Sequence, residues 1–170
     1  TPALGKAAAD AAQQAAEAAT RLGVRLSFDG NYRSKLWEAW DGQPAQRLRA
    51  LLAHCEVLFA SDRDIGVILG DVAQPEDPAE RIAAAAARAF AAFPRLQSMA
   101  TTLRTQRSVD HHVLSAVLVE RSGALHSTPE YEVTPIVDRI GTGDAFAAGV
   151  LHGLISGLGT AQALHFGLGA

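Results

Sequence analysis

Residues 135–149 read PIVDRIGTGDAFAAG, in which a polar loop runs into a helix. Gly141 and Gly143 enclose one small residue, so several backbone N–H groups can point into one concavity. The amino terminus of the following helix adds partial positive charge at the same place. The stretch therefore predicts an anion-binding site.

Asp144 is unexpected at such a site, because its carboxylate adds negative charge beside the bound anion. It fits if it accepts a proton from a hydroxyl group that attacks a phosphoryl group, a reaction that needs a positioned acceptor rather than a strong base. The alternative is structural, with Gly143 and Asp144 forming only a turn and a helix cap. Other phosphate motifs do not fit, since Phe146 stands where a dinucleotide fingerprint has its third glycine and no Walker A motif occurs.

Around this stretch, helical segments alternate with short apolar strands. The 3.6-residue spacing of alanine and leucine indicates the helices, and caps such as Asp77 followed by proline mark where they begin. The predicted helices are 7–22, 44–54, 78–93, 145–156 and a last one capped by Thr160, and the predicted strands are 24–28, 56–60, 113–120, 125–127 and 131–133. This order predicts an α/β fold with a mostly parallel sheet covered on both faces.

The predicted sheet also indicates where a ligand binds, because ligands of such sheets lie beyond the carboxyl ends of the strands. Three polar loops fall at these ends, at 29–33, 61–64 and 138–144. We therefore expect the functional residues to lie in these three loops.

The composition is that of a folded domain. The 170 residues are 48% hydrophobic and 19% charged, which excludes a disordered chain and predicts a single α/β domain over 1–170. The net charge of −3 gives no general attraction to nucleic acid or to anionic membranes, and no apolar run is long enough to span a bilayer. With Cys55 as its one cysteine the chain has no internal disulfide, and we expect a cytoplasmic location.

The motif Asp138-x-x-Gly141-x-Gly143-Asp144-Ala-Phe closely resembles the carboxy-terminal signature of the ribokinase-like (PfkB) sugar kinases. The fuller string from Pro135, with Arg139-Ile140, is similar to the variant found in 2-keto-3-deoxygluconate kinases. The segment 28–37, FDGNYRSKLW, supports the same subgroup, as do Thr102-Leu103-Arg104 and the histidine pair before the strand 113–120. The resemblance covers essentially the whole chain.

This resemblance implies an ATP-dependent sugar kinase with a Rossmann-like three-layer (αβα) sheet. It implies that Asp144 is the catalytic base, and that the anion hole and ATP-binding set consist of Gly141, Thr142, Gly143, Ser61 and Arg104. Arg33 falls where this subgroup binds the substrate acid and the transferring phosphate, with Asn31 in support. A guanidinium suits that role because it presents a charged planar fork. The alternative for Arg33 is a surface charge in a loop.

The resemblance also implies metal ions. Asp138 and the carbonyl of Ile140 fall where the family often builds a monovalent-cation site, for which K⁺ is the candidate ion. Family members usually carry an N-x-x-E element linked to Mg²⁺, and this chain has Ser61 and Asp64 as shortened stand-ins, with Asp64 reaching Mg²⁺ through water. A capping box explains the same pair without a metal.

The implied substrate is a sugar or sugar acid, with 2-keto-3-deoxygluconate phosphorylated to its 6-phosphate as the leading reaction. A fructokinase or ribokinase acting on a neutral sugar is the alternative within the class, and a non-catalytic nucleotide-binding fragment is the alternative outside it. Nothing in the chain resembles the family's amino-terminal sugar pocket and β-lid, so a nucleotide-binding carboxy-terminal portion, inactive alone, is expected. Homo-oligomers are compatible with this interpretation.

Several other residues have structural interpretations. His111 and His112 are predicted to be loop histidines, since no third metal ligand lies at a useful spacing. Cys55 precedes an apolar strand and is predicted to be a small buried residue. The two tryptophans, Trp37 and Trp40, are predicted to anchor a loop to the core.

Overall fold

The structure is a computed structural model that describes residues 1–73 and 75–170. The chain folds into two compact units, Thr1–Met99 and Ala100–Ala170. The single domain predicted from composition stays a prediction. In the described residues, no helix combines the length and the apolar character needed to cross a membrane.

The first unit is rich in helices. After a short 3₁₀ turn at Pro2–Leu4 come α1 (Lys6–Arg21), α2 (Ser34–Glu38), α3 (Pro44–Leu52), α4 (Asp62–Leu69) and α5 (Pro78–Ala92). The cap predicted for α5 is confirmed, because the Asp77 carboxylate accepts the N–H of Glu80 at 2.9 Å. Leu48, Leu51 and Leu52 of α3 are buried as their spacing predicts, so this helix contributes an apolar face to the core.

Two short parallel strands carry the first unit's loops. Strand β1 (Ser27–Asp29) pairs with β2 (Val57–Phe59), with Ser27 opposite Val57 and Asp29 opposite Phe59. Both are shorter than predicted, because the residues before them lie outside the ladder. The two strands end side by side, so the loops that follow them begin at the same edge.

Strand β3 (Ser98–Gln106) starts in the first unit, where the N–H groups of Gln97 and Ser98 donate to the Glu56 carbonyl, and continues into the second. Its partner in the second unit is β4 (His112–Glu120), which also pairs antiparallel with β5 (Leu125–Ser127) and β6 (Tyr131–Val133). The prediction of a mostly parallel sheet is therefore wrong for this unit. Short turns join β3 to β4 and β4 to β5, and such turns can connect only antiparallel strands.

Helices α6 (Thr142–Ile155) and α7 (Thr160–Gly169) complete the second unit and pack closely on each other. Glycines allow this approach, since a Cβ added to Gly149 would lie 2.7 Å from the Gly167 Cα. Two predicted boundaries are corrected. Helix α6 begins at Thr142 rather than Ala145, and Thr160 is the first residue of α7 rather than its cap, which is Gly159.

The structural interpretations of the tryptophans and the cysteine are confirmed. Trp37 is buried and stacks on Trp40, with 5.6 Å between the ring centroids, and the Trp40 indole N–H donates to the Ala3 carbonyl at 2.9 Å. Cys55 is fully buried, and burial raises the pKa of its thiol to about 12. A thiol that stays protonated is a poor nucleophile, and the Cys55 Sγ donates to the Leu51 carbonyl at 3.3 Å, so Cys55 is a buried structural residue.

Candidate active site

The loop 138–141 is fixed by hydrogen bonds of its own. One carboxylate oxygen of Asp138, Oδ1, accepts the N–H groups of Arg139 at 2.6 Å and of Ile140 at 2.9 Å. These two donors hold the pKa of the Asp138 carboxyl below its usual value, with the Ile140 N–H as the larger cause. Asp138 is thus kept ionised while it closes a tight turn before α6.

Helix α6 starts immediately after this turn. Its N-cap, Gly141, has a left-handed backbone with φ of +82°, a conformation that glycine adopts without strain. The Gly141 carbonyl accepts the N–H of Ala145 at 2.8 Å, which closes the first helical turn. The N–H groups of Gly143 and Asp144 have no acceptor in the described part of the chain and are free for an anion.

Asp144 is the third residue of α6 and its carboxylate is exposed. No cap hydrogen bond from a side chain occurs at this helix start, and Gly141 occupies the N-cap position. The alternative in which Asp144 caps the helix is therefore wrong. The carboxylate is left open to solvent in the first turn, beside the two unpaired N–H groups.

Thr142, predicted as part of the anion hole, turns its hydroxyl away from that role. Its Oγ1 donates to the Arg139 carbonyl at 3.2 Å, and its backbone N–H points to the same carbonyl at 3.5 Å. The hydroxyl therefore holds the loop against the helix, and the N–H groups without acceptors among the described residues belong to the two residues that follow.

Two exposed arginines of the second unit act electrostatically on His112. Arg104 is exposed on β3 and Arg139 is exposed in the loop, and both place positive charge close to His112. Burial is the main cause that lowers the pKa of the His112 imidazole, and the two arginines lower it further. Arg104 and Arg139 are thus two exposed cations of the second unit, and sequence reasoning selected only Arg104.

The prediction of loop histidines is wrong for His112. It is the first residue of β4 and only 1% exposed, and its Nε2 has no hydrogen-bond partner among the described residues. Its neighbour His111 lies in the turn and is half-buried, with its Nε2 3.6 Å from Glu132 Oε2. The alternation of apolar residues over 112–120 was the signal that could have placed His112 in the strand.

In the first unit, the loops after β1 and β2 come together. The N–H of Gly30 donates to the Phe59 carbonyl at 2.8 Å, and a Cβ added to Gly30 would lie 3.4 Å from Asp64 Cγ. Asn31 follows with a left-handed φ of +31°, and exposed Arg33 is the N-cap of α2. Gly30, which sequence reasoning did not select, joins the two loops through its backbone N–H.

Ser61 and Asp64 form a complete capping box at the start of α4. Asp64 Oδ2 accepts from both the backbone N–H and the hydroxyl of Ser61 at 2.7 Å, and Ser61 Oγ accepts the Asp64 N–H at 3.3 Å. The capping interpretation is confirmed, and it leaves the Oδ1 oxygen of Asp64 for other partners. In residues 1–73 and 75–170 no three His, Cys, Asp or Glu side chains cluster as a metal site.

The predicted site residues thus fall into two groups, one in each unit. The first unit brings together the loops that hold Asn31, Arg33, Ser61 and Asp64. The second unit holds Arg104, Asp138 and the 141–144 loop. That the two groups act on one substrate stays a prediction.

Comparison with known proteins identifies the family of the chain. The sequence profile of the pfkB family carbohydrate kinases matches residues 3–170. The chain belongs to this family. Among curated proteins, this PfkB chain is 32% identical over 167 residues to the 2-dehydro-3-deoxygalactonokinase of Haloferax volcanii, and the alignment covers 98% of this chain and 46% of that protein.

Solved structures give the same result for the PfkB chain. A PfkB family carbohydrate kinase from Listeria grayi is 30% identical with a TM-score of 0.87, covering 100% of this chain and 50% of that one. The 2-dehydro-3-deoxygluconokinase of Thermotoga maritima is 30% identical with a TM-score of 0.86 and the same coverage. Arabidopsis thaliana ribokinase, 17% identical with a TM-score of 0.64 over 95% of this chain and 45% of that one, shares the fold.

These similarities confirm the predicted family and the ribokinase-like α/β fold class. The sheet is mixed rather than mostly parallel, because the strands of the second unit pair antiparallel. The PfkB chain spans about half the length of the relatives it matches. An activity that needs the whole length is therefore a matter of proposal.

Proposed function

We propose that the natural protein containing this chain transfers the γ-phosphoryl group of ATP to a hydroxyl group of a sugar acid, with 2-keto-3-deoxygluconate and its 6-phosphate as substrate and product. The observation that carries the proposal is the first turn of α6. There an exposed carboxylate, Asp144, stands beside two backbone N–H groups without acceptors among the described residues. That is the combination of proton acceptor and anion site that phosphoryl transfer needs.

In this proposal, Asp144 accepts the proton of the sugar hydroxyl as its oxygen attacks the γ-phosphorus and ADP leaves. The N–H groups of Gly143 and Asp144, with the positive end of the α6 dipole, bind the equatorial oxygens of the transferred group. These donors are in place before the reaction, so they stabilise the developing charge without rearrangement. The exposed guanidinium of Arg104 binds another nucleotide phosphate.

Arg33 supports a sugar acid as the substrate class. It is an exposed cation at the end of the β1 loop, and a bidentate contact with a carboxylate would favour a sugar acid over a neutral sugar. The relatives named 2-dehydro-3-deoxygalactonokinase and 2-dehydro-3-deoxygluconokinase support a sugar-acid substrate. Fructokinase or ribokinase activity remains the second candidate, in which Arg33 would serve only phosphate charge.

The described residues offer few ligand oxygens for the metal ions of the proposal. Mg²⁺ bound to the nucleotide would neutralise phosphate charge. Asp64 offers one oxygen, Oδ1, because Oδ2 already accepts two donors from Ser61. One carboxylate oxygen through water suits Mg²⁺, which keeps several waters and takes its other ligands from phosphates. For a monovalent cation such as K⁺, Asp138 offers Oδ2 only.

The test is an ADP-release assay on the natural protein with a panel of 2-keto-3-deoxy sugar acids, fructose and ribose. We expect turnover with an acid, at a rate typical of kinases, roughly 1–100 s⁻¹. Turnover with a neutral sugar alone would select the second candidate. Nucleotide binding without any phosphorylated product would identify a non-catalytic module. The 170-residue chain by itself should bind ATP weakly and transfer no phosphate, because positioning and water exclusion need a complete sugar pocket.

A further inference from the structure

The turn at Asp138 is linked to the first turn of α6 by a continuous series of hydrogen bonds. Asp138 Oδ1 accepts the N–H groups of the next two residues, which fixes the peptide group of Arg139. The Arg139 carbonyl in turn accepts the hydroxyl of Thr142 at 3.2 Å. Thr142 begins α6 and directly precedes the two N–H groups of the anion site. Each step lies within the second unit and within the short segment 138–144.

We propose that Asp138 is a positioning residue for phosphoryl transfer, which holds the anion site in its active geometry through this turn and not through its negative charge. The inference rests on the proposed function. Carboxylate and carboxamide oxygens both accept backbone N–H groups two residues ahead, so aspartate and asparagine form the same turn. What the site requires at position 138 is then an acceptor oxygen rather than a charge.

The geometry separates this role from that of a cation ligand. The Oδ1 oxygen is saturated by two short bonds, so its lone pairs are already used within the protein. The other oxygen, Oδ2, is the one left for a cation, and asparagine replaces it with an amide nitrogen that cannot ligate a cation. The turn needs only the acceptor oxygen that asparagine keeps. The two roles therefore predict opposite outcomes for one substitution.

The experiment compares Asp138→Asn and Asp138→Ala in the natural protein, with Glu130→Ala as a control that removes another exposed carboxylate of the same unit. Loss of two hydrogen bonds to a charged acceptor should lower kcat of the alanine variant by about 10-fold to 100-fold. Asparagine should restore kcat to within about threefold, and the concentration of K⁺ for half-maximal activity should not change. Glu130→Ala should behave as wild type, and melting temperatures report folding.

Hydrogen–deuterium exchange over residues 136–142 gives a readout without turnover. Exchange should be faster in the alanine variant and close to wild type in the asparagine variant, because only alanine removes the acceptor. Four outcomes would each overturn the role of Asp138. Two concern kcat, namely an equal loss in both variants or a full kcat in the alanine variant. The others are unchanged exchange in the alanine variant and a shifted K⁺ requirement in the asparagine variant. A natural protein that transfers no phosphate would overturn the proposed function as well.

Discussion

Replacing Asp144 by asparagine tests the central step of the proposed reaction. The side chain lies in the first turn of α6, is exposed, and is not the helix cap, which is Gly141. Asparagine has nearly the same size and keeps a carbonyl oxygen at the same place. The substitution therefore removes a charge and a proton acceptor and leaves the packing of the unit unchanged.

The magnitudes follow from this placement. If Asp144 is the general base, kcat should fall by roughly 10²–10⁴-fold. An exposed acid in a first helical turn contributes about 0.3–1 kcal/mol through the helix dipole. Loss of that contribution should lower the melting temperature by roughly 1–4 °C in a chain of this size. ATP should bind as tightly or slightly more tightly, because a negative charge near the γ-phosphate is gone.

The assay measures kcat, the KM for each substrate and the melting temperature on one preparation of the natural protein. Glu80→Gln is a matched control, since Glu80 is the third residue of α5 and loses the same charge at the same helical position. It should show the small change in melting temperature without any change in kcat. The two variants together separate chemistry from helix stability.

Wild-type kcat in Asp144→Asn, with the melting temperature lowered as in Glu80→Gln, would refute the reasoning. Asp144 would then be an ordinary first-turn acid, and the phosphoryl-transfer mechanism would lose its base.

Three further predictions concern other parts of the chain. Arg33→Lys in the natural protein should raise KM for an acid substrate and leave that for ATP nearly unchanged, because lysine loses the bidentate fork; equal losses with acid and neutral sugars would contradict it. Gly167→Ala should destabilise the fold by about 1–3 kcal/mol in calorimetric melting, because the added Cβ would overlap the Val150 side chain and lie 2.8 Å from the Val150 backbone nitrogen. Gly169→Ala is the control and should be neutral, because an added Cβ there meets nothing within 4 Å. Cys55, with a pKa of about 12, should resist iodoacetamide at pH ~8 until the protein unfolds, and rapid labelling of the native protein would contradict this. The free energy of unfolding should fall as pH rises above about 9, because only the thiol of the unfolded chain ionises there.

Features with local causes could be predicted from the sequence. The caps Asp77 and Ser61 mark the starts of α5 and α4 because their side chains bond to N–H groups three residues ahead. The spacing of Leu48, Leu51 and Leu52 also has a local cause. Apolar residues three or four positions apart lie on one face of a helix, and that face is the buried one in α3.

Features that depend on distant partners could not be predicted in the same way. The pairing of β4 with β6 sets His112 opposite Val133, about twenty positions further along the chain, and no local pattern encodes that choice. Helix α6 begins three residues before its predicted start, because Gly143 has a low helix propensity and the pattern around it indicates a loop, whereas Gly141 with its left-handed backbone is the N-cap. The contact of Gly30 with Asp64 joins residues more than thirty positions apart, so only the structure shows it.

Because α6 packs closely on α7, a change at one end of α6 displaces its other end. Asp144 stands near one end of α6, and Gly153, whose added Cβ would lie 2.8 Å from the Ala163 Cα, stands near the other. They are nine positions apart, which is roughly 13 Å along a rigid helix axis. A side chain introduced at Gly153 would tilt the axis of α6 and displace the Asp144 carboxylate at its other end. In the proposed kinase, substitutions far from the substrate would therefore alter kcat.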